Sequence, residues 1–412
     1  MSSPRPLGEA RVPALDGLRG IAILLVMIYH QTVAVGSTLL DRFVGFWTLG
    51  GWVGVDLFFV LSGFLITGIL YDSKTSRGYF KNFYARRVLR IFPLYFAVVA
   101  VSLLILPHIP FYKSESLGRI NGDEIWYWTY LSNFSIAAHS AFRHGILDVS
   151  WSLAIEEQFY LTWPVLIFLL PRRTLLALCG AVVALAIAWR TALVLAGAAP
   201  IAVFVLTPGR IDALAIGAFV ALVARGPEGL AALRRWAAPT ALAAAVGVVG
   251  IGALAGGFDP YVGAMQVVGY TGLALFFGGV LVLTLTASPH WAPLRALQSQ
   301  PLTTFGKYSY ALYLFHLPLR AIIRDQVYGP DRFLTLMGSP LPGQVIFYVG
   351  ATLVALAAAW LSWHLYEKHF LALKRYFAPA RAVASSTVRA TPHPHAALHE
   401  LAAKPIQADV RH

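Results

Sequence analysis

The sequence predicts an all-α, polytopic membrane protein of about ten spanning helices with both termini in the cytoplasm. Three observations carry this. The 412 residues are 58% hydrophobic and only 12% charged, where a soluble domain has roughly 25% charged residues. The apolar residues gather into windows of about 20, the length that crosses a bilayer core. The basic residues gather between the windows, on alternate connections, as positive-inside topology requires.

The windows lie near 18–36, 51–71, 91–107, 150–170, 174–196, 204–225, 237–256, 265–287, 303–324 and 344–366. Arg5 and Arg11 precede the first. The second connection holds Lys74, Arg77, Lys81, Arg86, Arg87 and Arg90. Later even connections carry Arg172 and Arg173, then Arg225, Arg234 and Arg235, then Arg295, and Lys368, Lys374 and Arg375 follow the last window. Odd connections are poorer in basic residues, although the longest, about 108–149, has several. The net charge of +13 would suggest nucleic acid in a soluble chain; here topology absorbs it, and no nucleic-acid partner is expected. Cys179 sits alone in an apolar run and reads as packing. No cleavable signal peptide is read at the start, and no inverted internal repeat of the transporter kind is evident. The chain divides into a cytoplasmic N-terminal tail (1–10), a membrane-embedded domain (11–376) and a disordered cytoplasmic tail (377–412) rich in Ala, Pro and His.

Several windows contain residues that lipid disfavours. Arg19 and His30 are eleven residues apart, which on a helix returns to nearly the same face about 16 Å along the axis. Arg19 alone could snorkel to the interface, but an ionisable group such as His30 inside the bilayer is a functional candidate. Asp56 lies just below the outer face of the second window, and Glu156 and Glu157 lie about two turns into the fourth. Arg210 and Asp212 lie at similar depth in the sixth window, and His316 lies in the outer half of the ninth. These groups either close into structural ion pairs or line a polar chamber in which a histidine among carboxylates moves protons. Arg86, Arg87 and Arg90 form a second cluster at the inner mouth of the third window. Arg87 and Arg90 share a helix face, and guanidinium forks suit phosphates. No GxxxxGK[ST] loop supports ATP-driven chemistry, and no HExxH or CxxC spacing suggests a metal.

Arg19 and His30, VDLFFVLSGFLI, Arg87 and Arg90, SWSLAIEEQFY, RIDALAIG and SYALYLFHLP occur in this order. Together they resemble the acyltransferase 3 family of integral-membrane O-acyltransferases, over about 11–370. The resemblance implies a multi-pass protein of the inner (plasma) membrane that moves an acyl group, often acetyl, from cytoplasmic acyl-coenzyme A to a carbohydrate or glycoside hydroxyl. It implies that His30 is catalytic, with Arg19 on the donor side, Arg87 and Arg90 as the family's RxxR pair, and Glu156 at the acidic position of the WSL motif. On this reading His30 is a general base, or else carries the acyl group itself. Asp56 or Glu156 orients its ring, Arg19, Arg86, Arg87 and Arg90 hold the donor phosphates, and Glu157, Arg210, Asp212 and His316 line the acceptor side. Some family members carry an extracytoplasmic domain after the membrane part. This sequence holds none, so the acyl group is expected to go directly to the glycan or to a separate extracytoplasmic transferase. The alternative is a secondary transporter or flippase for a lipid-linked sugar, which has no evident need for the arginine cluster.

Overall fold

A computed structural model describes residues 12–109 and 122–377. The expected tail over 1–10, and all but the first residue of the tail read over 377–412, lie outside the described residues. Among the described residues there are ten long helices: α1 (Pro13–Gln31), α2 (Gly54–Asp72), α3 (Tyr79–Ala100), α4 (Ser150–Leu169), α5 (Arg172–Leu195), α6 (Thr207–Val223), α7 (Ala231–Leu254), α8 (Tyr270–Thr286), α9 (Gln300–Ile322) and α10 (Leu341–Ser362). The chain is a multi-pass membrane protein with no named strand among these residues.

Eight of these helices, some lengthened by adjoining turns, are long and apolar enough to cross a membrane. The other two, α4 and α9, are of spanning length at 20 and 23 residues. Their apolarity is diluted by Glu156, Glu157 and Gln158 in one and by Lys307, His316 and Arg320 in the other. Lipid tolerates such side chains only when neighbouring helices shield them. The least apolar spans are therefore the ones that carry several of the candidate site residues. The third helix also starts at Tyr79, about two turns before Arg86 and well ahead of the window read from hydropathy. The arginine cluster thus lies on a helix and not in a loop.

Burial separates an inner group from an outer one. In the stretches that contain α2 and α6, 72% of the apolar window is buried against protein, whereas α5 buries only 17% and turns its apolar faces outward. Within a bilayer, helices associate by close packing, since lipid tails are as apolar as leucine. Glycine supplies that closeness at two crossings. Where α1 meets α9, a Cβ on Gly306 would overlap the Asp16 carbonyl, and one on Gly20 would overlap the Leu302 carbonyl. Where α2 meets α6, Gly63 and Gly217 each lie against the opposite backbone, at Leu214 and Val60. The first crossing fixes α1 beside α9, and the second fixes α2 beside α6. Every polar group described next hangs from one of these four helices or from a neighbour.

Candidate active site

His30 stands in the last turn of α1 and His316 in the outer part of α9, and the glycine crossing brings their rings together. His316 Nε2 lies 3.1 Å from His30 Nδ1. Each Nδ1 also meets the carbonyl one turn back on its own helix: His30 with Val26 at 3.0 Å and His316 with Leu312 at 3.1 Å. A carbonyl can only accept, so both Nδ1 atoms carry the proton when the rings are neutral. His316 Nε2 is then a lone pair, and the His30 Nδ1–H is shared between it and Val26. His30 Nε2 is left unprotonated. A half-buried imidazole with a bare Nε2 and a second ring behind its Nδ1–H is equipped to take a proton from a hydroxyl.

The carboxylates expected to orient His30 are directed elsewhere. Asp56 accepts from Arg210 at 2.9 Å, with both side chains buried at 1% exposure. Arg190 donates to Asp212 at 2.9 Å, and Thr271 donates to the same carboxylate oxygen at 2.6 Å. The Arg210 guanidinium lies 4.0 Å from the centre of the Tyr270 ring and 5.2 Å from that of Phe204. Two buried arginines thus neutralise two buried aspartates, joining α2, α5, α6 and α8 in a closed ion-pair network, because an unpaired charge would be costly there. Arg190 is absent from the sequence reading. Its signal was present as a single charge inside the otherwise apolar run ALAIAWRTALVL.

Glu156 sits further toward the Arg19 end. It accepts from Ser62 at 2.6 Å and from Tyr160 at 3.3 Å. Arg87 lies over the other side of the same tyrosine, 6.0 Å from the ring centre. Arg87 and Arg90 are half-buried and Arg86 is exposed. Arg19, which pairs with Asp16 at 3.7 Å, lies close enough to Arg87 and Arg90 for their charges to act on it. Lys374, from the turn Leu373–Phe377 that packs on α3, joins the same group. None of Arg86, Arg87, Arg90 and Lys374 forms an ion pair among the described residues, although the Glu156, Glu157 and Glu367 carboxylates lie near enough to act on Arg87 or Arg90. Like charges held together in this way favour a polyanion. Glu157 is half-buried beside Glu156 and makes no hydrogen bond among the described residues.

A polar seam behind His30 also escaped the sequence reading. Gln344, Tyr348 and Thr352 recur every four residues and so share one face of α10. The Gln344 side chain accepts from the Val33 and Ala34 amides, both at 3.0 Å, and donates to the Gln31 carbonyl at 2.8 Å. Tyr348 hydroxyl meets Thr32 hydroxyl at 2.7 Å, and Thr352 donates to the Gln31 side chain at 3.2 Å. The seam pins the chain immediately after His30. Its only signal in the sequence was a four-residue polar spacing within an apolar helix.

Comparison with known proteins matches residues 12–364 to a family model described as an acyltransferase domain, that of the acyltransferase 3 family. The peptidoglycan O-acetyltransferase OatA of Listeria monocytogenes is 29% identical over 324 residues, covering 75% of this chain and 49% of that protein. The O-acetyltransferase OatA of Staphylococcus aureus is 29% identical over 344 residues, covering 79% of this chain and 52% of that protein. The chain spans about half the length of the curated relatives it matches. No solved structure matches it.

Proposed function

The chain belongs to the acyltransferase 3 family, and from that membership we propose that it transfers an acyl group, acetyl by analogy with its relatives, from acyl-coenzyme A to a carbohydrate hydroxyl. The observation that carries the proposal is the His30–His316 pair with its bare Nε2. The donor is a substrate. Its phosphates would lie on Arg19, Arg86, Arg87 and Arg90 at the cytoplasmic rim of the plasma membrane, and its pantetheine arm would run inward. The acceptor hydroxyl gives its proton to His30 Nε2 as its oxygen bonds to the thioester carbonyl carbon. The tetrahedral intermediate then expels the coenzyme A thiolate, which takes the proton back. His316 holds the His30 Nδ1–H throughout and so stabilises the transient imidazolium, as the third group of a hydrolase triad does. Glu156, held by Ser62 and Tyr160 and near enough to Arg19 and Arg87 for their charges to act on it, would lie beside the donor's path.

The relatives named for acetylating peptidoglycan support a carbohydrate acceptor, reached directly or through a separate extracytoplasmic protein. The test is acetyl-coenzyme A turnover by purified protein in lipid nanodiscs, read as free thiol released. His30→Ala should fold, keep donor binding and lose release. Release at the parent rate would overturn the assignment. Sugar flux without acyl turnover would favour the transporter.

A further inference from the structure

Arg320 lies on α9 one turn beyond His316, on the same face, and its charge reaches both imidazoles. Its guanidinium has five N–H donors, yet no hydrogen bond or ion pair holds it among the described residues. The Nε atom is buried with no partner. Arg320 is half-buried: its Nε is covered by protein, while its terminal nitrogens stay accessible to a ligand. The nearby Asp325 carboxylate acts on Arg320 by its charge, but it is hydrogen-bonded to Arg324 at 2.5 and 2.9 Å and makes no hydrogen bond or ion pair with Arg320. Elsewhere in the bundle the deeply buried arginines, Arg190 and Arg210, each have a carboxylate at 2.9 Å. Arg320, half-buried like Arg87 and Arg90, has none, and it stands beside the histidine pair.

We propose that Arg320 is the anion-binding residue of the acceptor subsite, so that the preferred acceptor is an acidic sugar whose carboxylate or phosphate lies a few bonds from the reacting hydroxyl. This rests on the acyltransferase reading above. The donor does not supply the anion, for its phosphates belong to the arginines near Arg19, about 16 Å away along α1, and its thioester end is uncharged. A guanidinium fork holding an oxyanion of the acceptor would set which hydroxyl meets His30 Nε2. The sequence alone gives Arg320 no such role, since an arginine near the end of a span ordinarily reads as an interfacial anchor.

The test uses the full chain in nanodiscs of phosphatidylcholine, without anionic lipid. Equilibrium binding is measured for methyl β-glucuronide, glucose 1-phosphate and methyl β-glucoside. The parent should bind one of the acidic sugars at least about tenfold more tightly than the neutral one, the scale of one charge-assisted hydrogen bond. The stronger arm tells carboxylate from phosphate. Arg320→Gln should bind all three alike, and Arg320→Lys should keep part of the preference. A parent without preference, or a Gln variant that retains it, overturns the proposal. So does a Gln variant whose only change, in a second set of nanodiscs that contain phosphatidylglycerol, is weaker retention of that lipid, which would make Arg320 a lipid anchor. Free thiol release from acetyl-coenzyme A, read on the same samples, keeps the two readings apart: no release sinks the transferase, whereas release without acidic preference sinks only this subsite.

Discussion

His30 owes its reactive nitrogen to two backbone carbonyls and one neighbouring ring. His316→Ala should leave donor binding intact and lower turnover by roughly 10²–10³-fold, the scale of losing effective acid–base catalysis. Equal rates in single-turnover thiol release would reduce His316 to a packing residue. His316→Gln offers an amide oxygen to the same N–H and should recover part of the loss. That His30 is a functional candidate was legible in the sequence, because a histidine inside an apolar span demands a reason. Its partner was not. Asp56, Glu156 and His316 all read at compatible depths, and only the helix crossings decide that Asp56 faces Arg210 while His316 faces His30. Depth can be read along one helix, but azimuth relative to the other helices cannot.

The spans were legible as elements wherever lipid dictates composition. Even α4 and α9, which fall short on apolarity, were read within a few residues of their ends; the clear miss was the start of α3, where a charged helix extends beyond the bilayer window. The devices that join helices were harder to read, because a glycine in an apolar run looks the same whether it faces lipid or a backbone. Gly306 is a case in which the difference can be measured. A methyl group there meets the Asp16 carbonyl, so Gly306→Ala should force α1 from α9 and cost about 1–3 kcal/mol. The readouts are the thermal midpoint and the thiol-release rate, and both should fall. Gly350, with open space at its Cβ position, is the control, and Gly350→Ala should change neither. A harmless Gly306→Ala would remove the crossing from the account of how the histidines meet.

Among the described residues, the deeply buried arginines Arg190 and Arg210 are each paired with an aspartate. Arg190→Leu should cost about 3–5 kcal/mol by stranding Asp212, and adding Asp212→Leu should recover most of it, since an intact buried pair contributes little net stability. Equal thermal midpoints for single and double variants would show that the network is no closed unit. Outside the spans, the Asp148 carboxyl accepts from the His144 amide at 3.2 Å. Burial pushes its pKa up to about 7. The unfolded chain ionises near 3.8, so the folded state holds the extra proton between these values. Stability should therefore be full below about pH 4 and fall, on the order of 2 kcal/mol, as pH rises to about 7. Asp148→Asn should flatten that slope in melting curves taken from pH 5 to 8.

The seam behind His30 has a mechanical implication. With Gln344 pinning the residues after His30 and glycine locking the helix below it, α1 is a fixed gauge and not a rocker. On the proposed donor path, an acyl group would then cross much of the bilayer on the length of its own carrier, with the protein as a stationary anvil at the end of that reach.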